Sequence, residues 1–228
     1  MLAPMLLLWL IANFLPQGVV VLLTGKPYFA LDPVQGMVVE LTIMALNLAL
    51  PLLALTLFTR DRSLCLRDAL AWRWDGWRTV GWGVLGFGLG FVLLFPLVNW
   101  AVGSPPFSYG GGIGAVTLRD WPVLFLLLAL VVVTPLGEEI MFRGYIQTGQ
   151  ERRHGVAVGW LVAALLFSLR HTPADLYWGR DAPAIQWISR LSQLGGGALI
   201  FGWIRHRSRS TISTWIMHLL GWIYVIFG

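Results

Sequence analysis

Cysteine is nearly absent from this 228-residue chain. Cys65 stands alone, which excludes an intramolecular disulfide and any cysteine-rich metal centre. A lone thiol in apolar surroundings serves as small filler. Charge is scarce too. Asp, Glu, Lys and Arg make up 12% of the residues, where a soluble domain carries roughly 25%. Acidic side chains are the scarcer sign, 11 against 16 basic ones, for a net charge of +5. That surplus does not point to nucleic acid, because the arginines fall in short stretches between apolar runs and form no single patch. What the chain has in abundance is apolar length: 57% of it is hydrophobic and the mean hydropathy is +0.72. These features predict an all-α fold, a polytopic membrane helical bundle, and exclude a soluble enzyme.

Seven spans are expected, at about 4–23, 35–59, 79–101, 121–147, 155–171, 184–204 and 210–227, each near the ~20 apolar residues that a bilayer requires. Six to eight are compatible with the pattern. The N-terminus has no basic n-region and no small-residue cleavage site, so it reads as a retained first span. One set of loops holds Arg60, Arg62, Arg67, Arg73, Arg78, Arg152, Arg153, Arg205, Arg207 and Arg209, ten residues in all; the other set holds three, Lys26, Arg119 and Arg180. This asymmetry predicts a cytoplasmic N-terminus. Residues 60–78 mix arginine and aspartate with Leu64, Leu66, Leu70, Trp72, Trp74 and Trp77, the composition of an interfacial amphipathic helix or of a connector with interfacial tryptophans. Gly86 and Gly90 form a G-x-x-x-G that permits close helix contact. Gly110-Gly111-Gly112 and Pro105-Pro106 mark an outer loop. Two regions follow: 1–120, N-terminal helices with the interfacial segment, and 121–228, the core helices that carry the chemistry.

Few strongly polar residues remain inside spans: Glu138, Glu139 and Arg143 in the fourth, Arg170 and His171 in the fifth, Arg190 and Gln193 in the sixth, and His218 in the seventh. An ionisable group at bilayer depth costs at least ~2.5–3.5 kcal/mol, which makes it a functional candidate by default. Glu40 and Asn47, alone in span two, read as groups bonded within the bundle. Glu139 and Arg143 are i, i+4 with the acid first, the favourable order for a helical ion pair. Glu138 lies 100° further round, so the expectation is a tethered Glu139 and a free Glu138. Glu138 stands 17 residues before Gly155 and His171 stands 16 after it. With helical arms, both lie ~24–26 Å from the hairpin tip, level with each other. His218 reaches the same depth if residues 147–154 form a solvated extension beyond the membrane.

A carboxylate with two histidines suits two chemistries. Glu138 can act as a general base on water, one histidine holding the water and another stabilising the oxyanion. Alternatively, Glu138, His171 and His218 can ligate a divalent metal such as zinc, with an open position for water. No H-E-x-x-H is present to favour the second.

Glu138-Glu139-Ile140-Met141-Phe142-Arg143 fits E-E-x-x-x-R, Phe167-Ser168-Leu169-Arg170-His171 fits F-x-x-x-H, and His218 sits in a final span as a third motif requires. Over about residues 121–225 the chain resembles the CPBP family of CAAX proteases and bacteriocin-processing enzymes, type II CAAX prenyl endopeptidases in particular. The resemblance implies an intramembrane endopeptidase cutting a peptide bond near the cytoplasmic face of a prokaryotic cell membrane. Its partners would be membrane lipids and a peptide or lipidated protein substrate. It assigns Glu138 as base, His171 to the attacking water, His218 to the oxyanion, and Glu139 and Arg143 as supporting residues. It leaves metal dependence open. In one respect the chain departs from the family. An asparagine often follows the third-motif histidine by four residues, and here Trp222 stands there. Tyr224 and Gln193 are the candidate substitute donors. The same departure motivates the alternative of a non-catalytic membrane factor, a bacteriocin immunity or scaffold protein.

Overall fold

A computed structural model describes residues 2–27, 30–58, 66–103, 121–178 and 183–227. The elements run α1 (Leu2–Thr24), α2 (Pro33–Phe58), α3 (Leu66–Ala69) and α4 (Gly76–Phe87). A π-helical segment, Gly88–Leu94, leads from α4 into α5 (Phe95–Val102). After α6 (Trp121–Glu139) a second π-helical segment, Ile140–Gln147, leads into α7 (Thr148–His154), and α8 (Val156–Trp178), α9 (Ala184–Ser208) and α10 (Thr211–Phe227) complete the chain. There is no strand among the described residues. Among the described residues, and with the π segments joined to their flanking helices, seven helical rods overlap the seven expected spans. The protein is an all-α membrane helical bundle. Three of the rods, Ala3–Thr24, Val34–Thr56 and Gly76–Val102, are long and apolar enough to cross a bilayer by those two criteria alone. Leu7, Leu22, Leu23, Trp100, Leu161 and Leu191 stay exposed on the bundle, as side chains facing lipid tails do.

Without a hydrophobic force between helices in lipid, close backbone approach supplies the packing. Two glycines show it. A Cβ on Gly83 in α4 would lie 2.7 Å from Ile216 Cγ2 and 2.9 Å from the Ser213 carbonyl oxygen of α10. A Cβ on Gly137 in α6 would lie 2.6 Å from the Met44 carbonyl oxygen of α2. So α10 lies against α4, and α2 against α6, at contact distance. The second contact falls one residue before Glu138.

Three points bear on the expectations. First, between α2 and α4 the described part of the interfacial segment holds a single helical turn, α3, as the connector alternative has it; residues 59–65 lie outside the described residues, as do 104–120 with the glycine-rich loop. The turn of α3 is pinned to the start of α10, where Thr211 N–H donates to the Ala71 carbonyl at 2.9 Å and Thr211 Oγ1 donates to the Leu70 carbonyl at 2.7 Å. Second, residues 147–154 are no wholly solvated extension. Gln147, Thr148 and Gln150 are buried, Gln147 Nε2 donates to the Gly202 carbonyl at 3.0 Å, and Arg205 pairs with Glu151 at 2.6 Å. Polar side chains there satisfy one another across α7 and α9, so polarity did not signal exposure. The hairpin turn does fall at Gly155, whose φ of 89° breaks the helix between α7 and α8. Third, the helix of the fifth span, expected over about 155–171, runs on as α8 to Trp178.

Candidate active site

The glutamate pair closes α6, and the chain then winds into the π segment. Insertions of this kind inside a helix frequently mark functional sites because they change the register in which side chains are presented. Both carboxylates are buried, and both meet the same partner. His218 of α10 sets Nδ1 3.0 Å from Glu139 Oε1 and Nε2 3.4 Å from Glu138 Oε2. The expectation that the two acids face apart is therefore corrected: 100° at the backbone is spanned by the reach of two glutamate side chains around one imidazole.

Glu138 is also not free. Arg170 Nη1, from α8, lies 2.5 Å from Glu138 Oε1. The same guanidinium binds Glu40 of α2 and donates through Nε to Asn13 Oδ1 of α1 at 3.1 Å. Asn13 in turn exchanges hydrogen bonds with Asn47. Four helices thus meet at one cation. Glu40, read from sequence as an isolated bonded group, is bonded, and its partner lies in the site. An acid in span two and a base in span five, each costly to bury alone, were the signal that they belong together.

His171 is oriented by its own helix. Its Nδ1 lies 2.9 Å from the Phe167 carbonyl oxygen, one turn back. A carbonyl can only accept, so Nδ1 carries the proton and Nε2 keeps its lone pair. Arg170 Nη1 lies 3.3 Å from that Nε2. One Nη1 group therefore touches both Glu138 and His171.

Glu139 and Arg143 are adjacent but loosely coupled. Arg143 Nε lies 3.7 Å from Glu139 Oε2, beyond hydrogen-bond distance. Among the described residues, none of the three guanidinium nitrogens has a hydrogen-bond partner. The guanidinium instead lies 5.0 Å from the Phe167 ring centre and 5.1 Å from that of Phe201, within cation–π range. Phe201 also meets the His218 ring edge-to-face at 5.0 Å. Arg143 thus offsets the Glu139 charge from between two aromatic faces.

The remaining candidates lie elsewhere. Gln193 Nε2 donates to Asn99 at 2.7 Å and to Ser189 at 3.2 Å, which commits it to the α5–α9 contact. Tyr224 is exposed and packs against Phe87. Neither replaces the asparagine absent at position 222. The donors also do not fit a zinc ion. Among the described residues no three His, Cys, Asp or Glu side chains are placed to hold a metal, and a guanidinium already lies against Glu138 and the His171 lone pair.

Residues 119–222 match the family model described as Rce1-like, type II CAAX prenyl endopeptidase. That stretch is similar to this CAAX protease family and contains Glu138, Glu139, Arg143, Arg170, His171 and His218 together. No curated protein and no solved structure matches the chain. The chain is thus an integral membrane protein whose residues 119–222 resemble a CAAX-type protease.

Proposed function

We propose that this protein is a glutamate-dependent intramembrane endopeptidase acting on a lipidated or membrane-embedded peptide, in the manner of CAAX processing. The observation that carries this reading is the buried convergence of Glu138, His171 and His218 through Arg170 and Glu139. Glu138 is the general base. It abstracts a proton from water as the water oxygen attacks the scissile carbonyl. His171 helps to hold the same water, its Nε2 sharing the Arg170 Nη1 group with Glu138. His218 takes its role as the imidazolium, donating Nδ1–H to the Glu139 carboxylate and turning Nε2–H to the developing oxyanion. The proton held on Glu138 then passes to the leaving amine. Arg143 offsets the charge on Glu139, and Arg170 positions Glu138. Residues 121–228 form the catalytic core and 1–120 the supporting helices. The loop arginines favour a cytoplasmic N-terminus and a scissile bond near that face of a prokaryotic membrane.

Purified full-length protein in detergent is expected to cleave a prenylated CAAX-type peptide or a short transmembrane peptide. Glu138→Gln removes the base while keeping size and hydrogen bonding, and its rate should fall by about 10²–10⁴. Wild-type cleavage by that variant overturns the assignment. The chain's departure at Trp222 favours one second reading, a non-catalytic membrane factor. Full biological activity in a Glu138→Ala, His171→Ala double variant would select it.

A further inference from the structure

Away from the glutamate pair, where α7, α9 and α10 end beside the turn of α3, a cavity of about 170 Å³ opens. Its walls carry Arg73, Arg152, Arg205 and Arg209, and against them only Asp68 and Glu151. Both acids are already engaged: Asp68 Oδ1 lies 2.8 Å from Arg73 Nη2, and Glu151 Oε2 lies 2.6 Å from Arg205 Nη1. Two positive charges are therefore left over. Arg152 uses one nitrogen on a neutral acceptor, the Asp68 carbonyl, at 2.6 Å. The Arg209 side chain makes no hydrogen bond or ion pair among the described residues and stays exposed.

The backbone of this cavity is built at a cost. Ala71 and Arg209, both in its lining, hold positive φ angles of 50° and 53°, and they are the only non-glycine residues to do so among those described. Each sits in a conformation that L side chains rarely adopt. The hydrogen bonds from Thr211 to Leu70 and Ala71, and from Ser210 to the Arg73 carbonyl, hold the two strained turns against each other. The buried floor, Arg205 with Thr148, is fixed by a 2.5 Å hydrogen bond between them. The cavity is thus a preformed cationic cup at the helix ends, where a bilayer presents its headgroups.

Its size selects the ligand. At 170 Å³ it is well below the roughly 300–1,000 Å³ of a drug-sized site, and it exceeds the about 30 Å³ share of a single water severalfold. Basic pockets between membrane helices recognise anionic headgroups, and the guanidinium fork matches phosphate oxygens in pairs. We infer that the Arg73–Arg152–Arg205–Arg209 cavity is a binding site for a phosphate group of net negative charge, unneutralised by a choline, one that clamps the α3 turn to α7 and α9 when filled.

The test titrates the full chain, in neutral detergent, with phosphatidylglycerol, with phosphatidylcholine of the same acyl chains, and with inorganic phosphate. Binding is read from the rise in unfolding midpoint. Phosphatidylglycerol should stabilise the wild type and phosphatidylcholine should not. Arg209→Asn breaks no contact and asparagine tolerates the left-handed backbone, so this variant should fold and bind about fivefold more weakly; adding Arg152→Gln should bring the loss to about 25-fold. Protection by inorganic phosphate with the same sensitivity identifies free phosphate as a ligand, and protection by phosphatidylglycerol alone identifies the lipid headgroup. The inference is overturned if both lipids protect equally, if no phosphate compound protects the wild type, or if Arg209→Asn binds as tightly as the wild type. None of these readouts involves cleavage, so they stand apart from the fate of the peptidase assignment.

Discussion

Arg170 holds Glu138 by a charge-assisted contact of 2.5 Å between Nη1 and Oε1, with both side chains almost fully withdrawn from solvent. Its remaining nitrogens reach Glu40 and Asn13. Removing one partner of a buried pair leaves an uncompensated charge, which costs about 3–5 kcal/mol. Arg170→Gln should therefore destabilise the protein by that order in detergent unfolding. Arg170→Gln combined with Glu138→Gln and Glu40→Gln should recover part of the loss, because no carboxylate is then stranded. Additive losses would mean that the three groups do not act as one network.

The seven rods were legible in the sequence because apolar runs of bilayer length are a strong signal and the basic loops alternate between them. The site was legible in part. Glu138, His171 and His218 stood out because ionisable residues are rare inside spans, and the hairpin turn at Gly155 placed Glu138 and His171 on adjacent helices. What escaped the reading is the way side chains meet. Helical-wheel reasoning separated Glu138 from Glu139, yet both reach His218, and the π segment after Glu139 disturbs the register on which an i, i+4 pair with Arg143 depends. Composition reports polarity and not its partners, so the polar stretch 147–154 looks solvated in sequence while Gln147 Nε2 donates to Gly202 and Glu151 accepts from Arg205, both far off in sequence. Arg170 stands out in the sequence as a charged residue inside the fifth span, but its bond to Glu138 requires the α6–α8 packing to be known.

His218 is held between two acids, and the Glu139 contact at Nδ1 is the shorter. A carboxylate there holds the Nδ1 proton, so in the proposed mechanism Nε2–H faces the reacting carbonyl only when the ring is protonated on both nitrogens. His218→Ala should lower kcat by about 10²–10³, the loss expected for one oxyanion donor, with KM little changed. Glu139→Gln retains the shape but weakens the polarisation, so it should also act on kcat more than on KM. A rise confined to KM in either variant would assign the pair to substrate binding instead.

The α2–α6 contact makes Gly137 a lever on the site. A methyl group there meets the Met44 backbone at 2.6 Å, and backbone cannot rotate out of the way. Gly137→Ala should cost about 1–3 kcal/mol by overpacking. It should also part α2 from α6, which draws Glu40 and the Arg170 network away from Glu138 and lowers turnover. Gly81→Ala is the control: no atom lies within 4 Å of its Cβ position, so stability and activity should match the wild type. Equal behaviour of the two variants in thermal unfolding would refute the close contact.

Trp222 lies one helical turn beyond His218, half-buried in α10. Indole has a single N–H donor and much greater bulk than an amide, and Gln193 and Tyr224 are committed elsewhere. In the proposed mechanism the oxyanion is thus left to His218, without the asparagine that the resemblance leads one to expect at this position. Trp222→Asn restores a short amide on the same helical face. If oxyanion support limits the rate, kcat should rise, and by no more than the about 10²–10³ that one such donor supplies. The gain should vanish in the Glu138→Gln background, where no base activates water. A Trp222→Asn variant slower than the wild type would show instead that the indole shapes the substrate channel. Comparing Trp222→Phe separates these outcomes, since phenylalanine keeps most of the bulk and offers no donor.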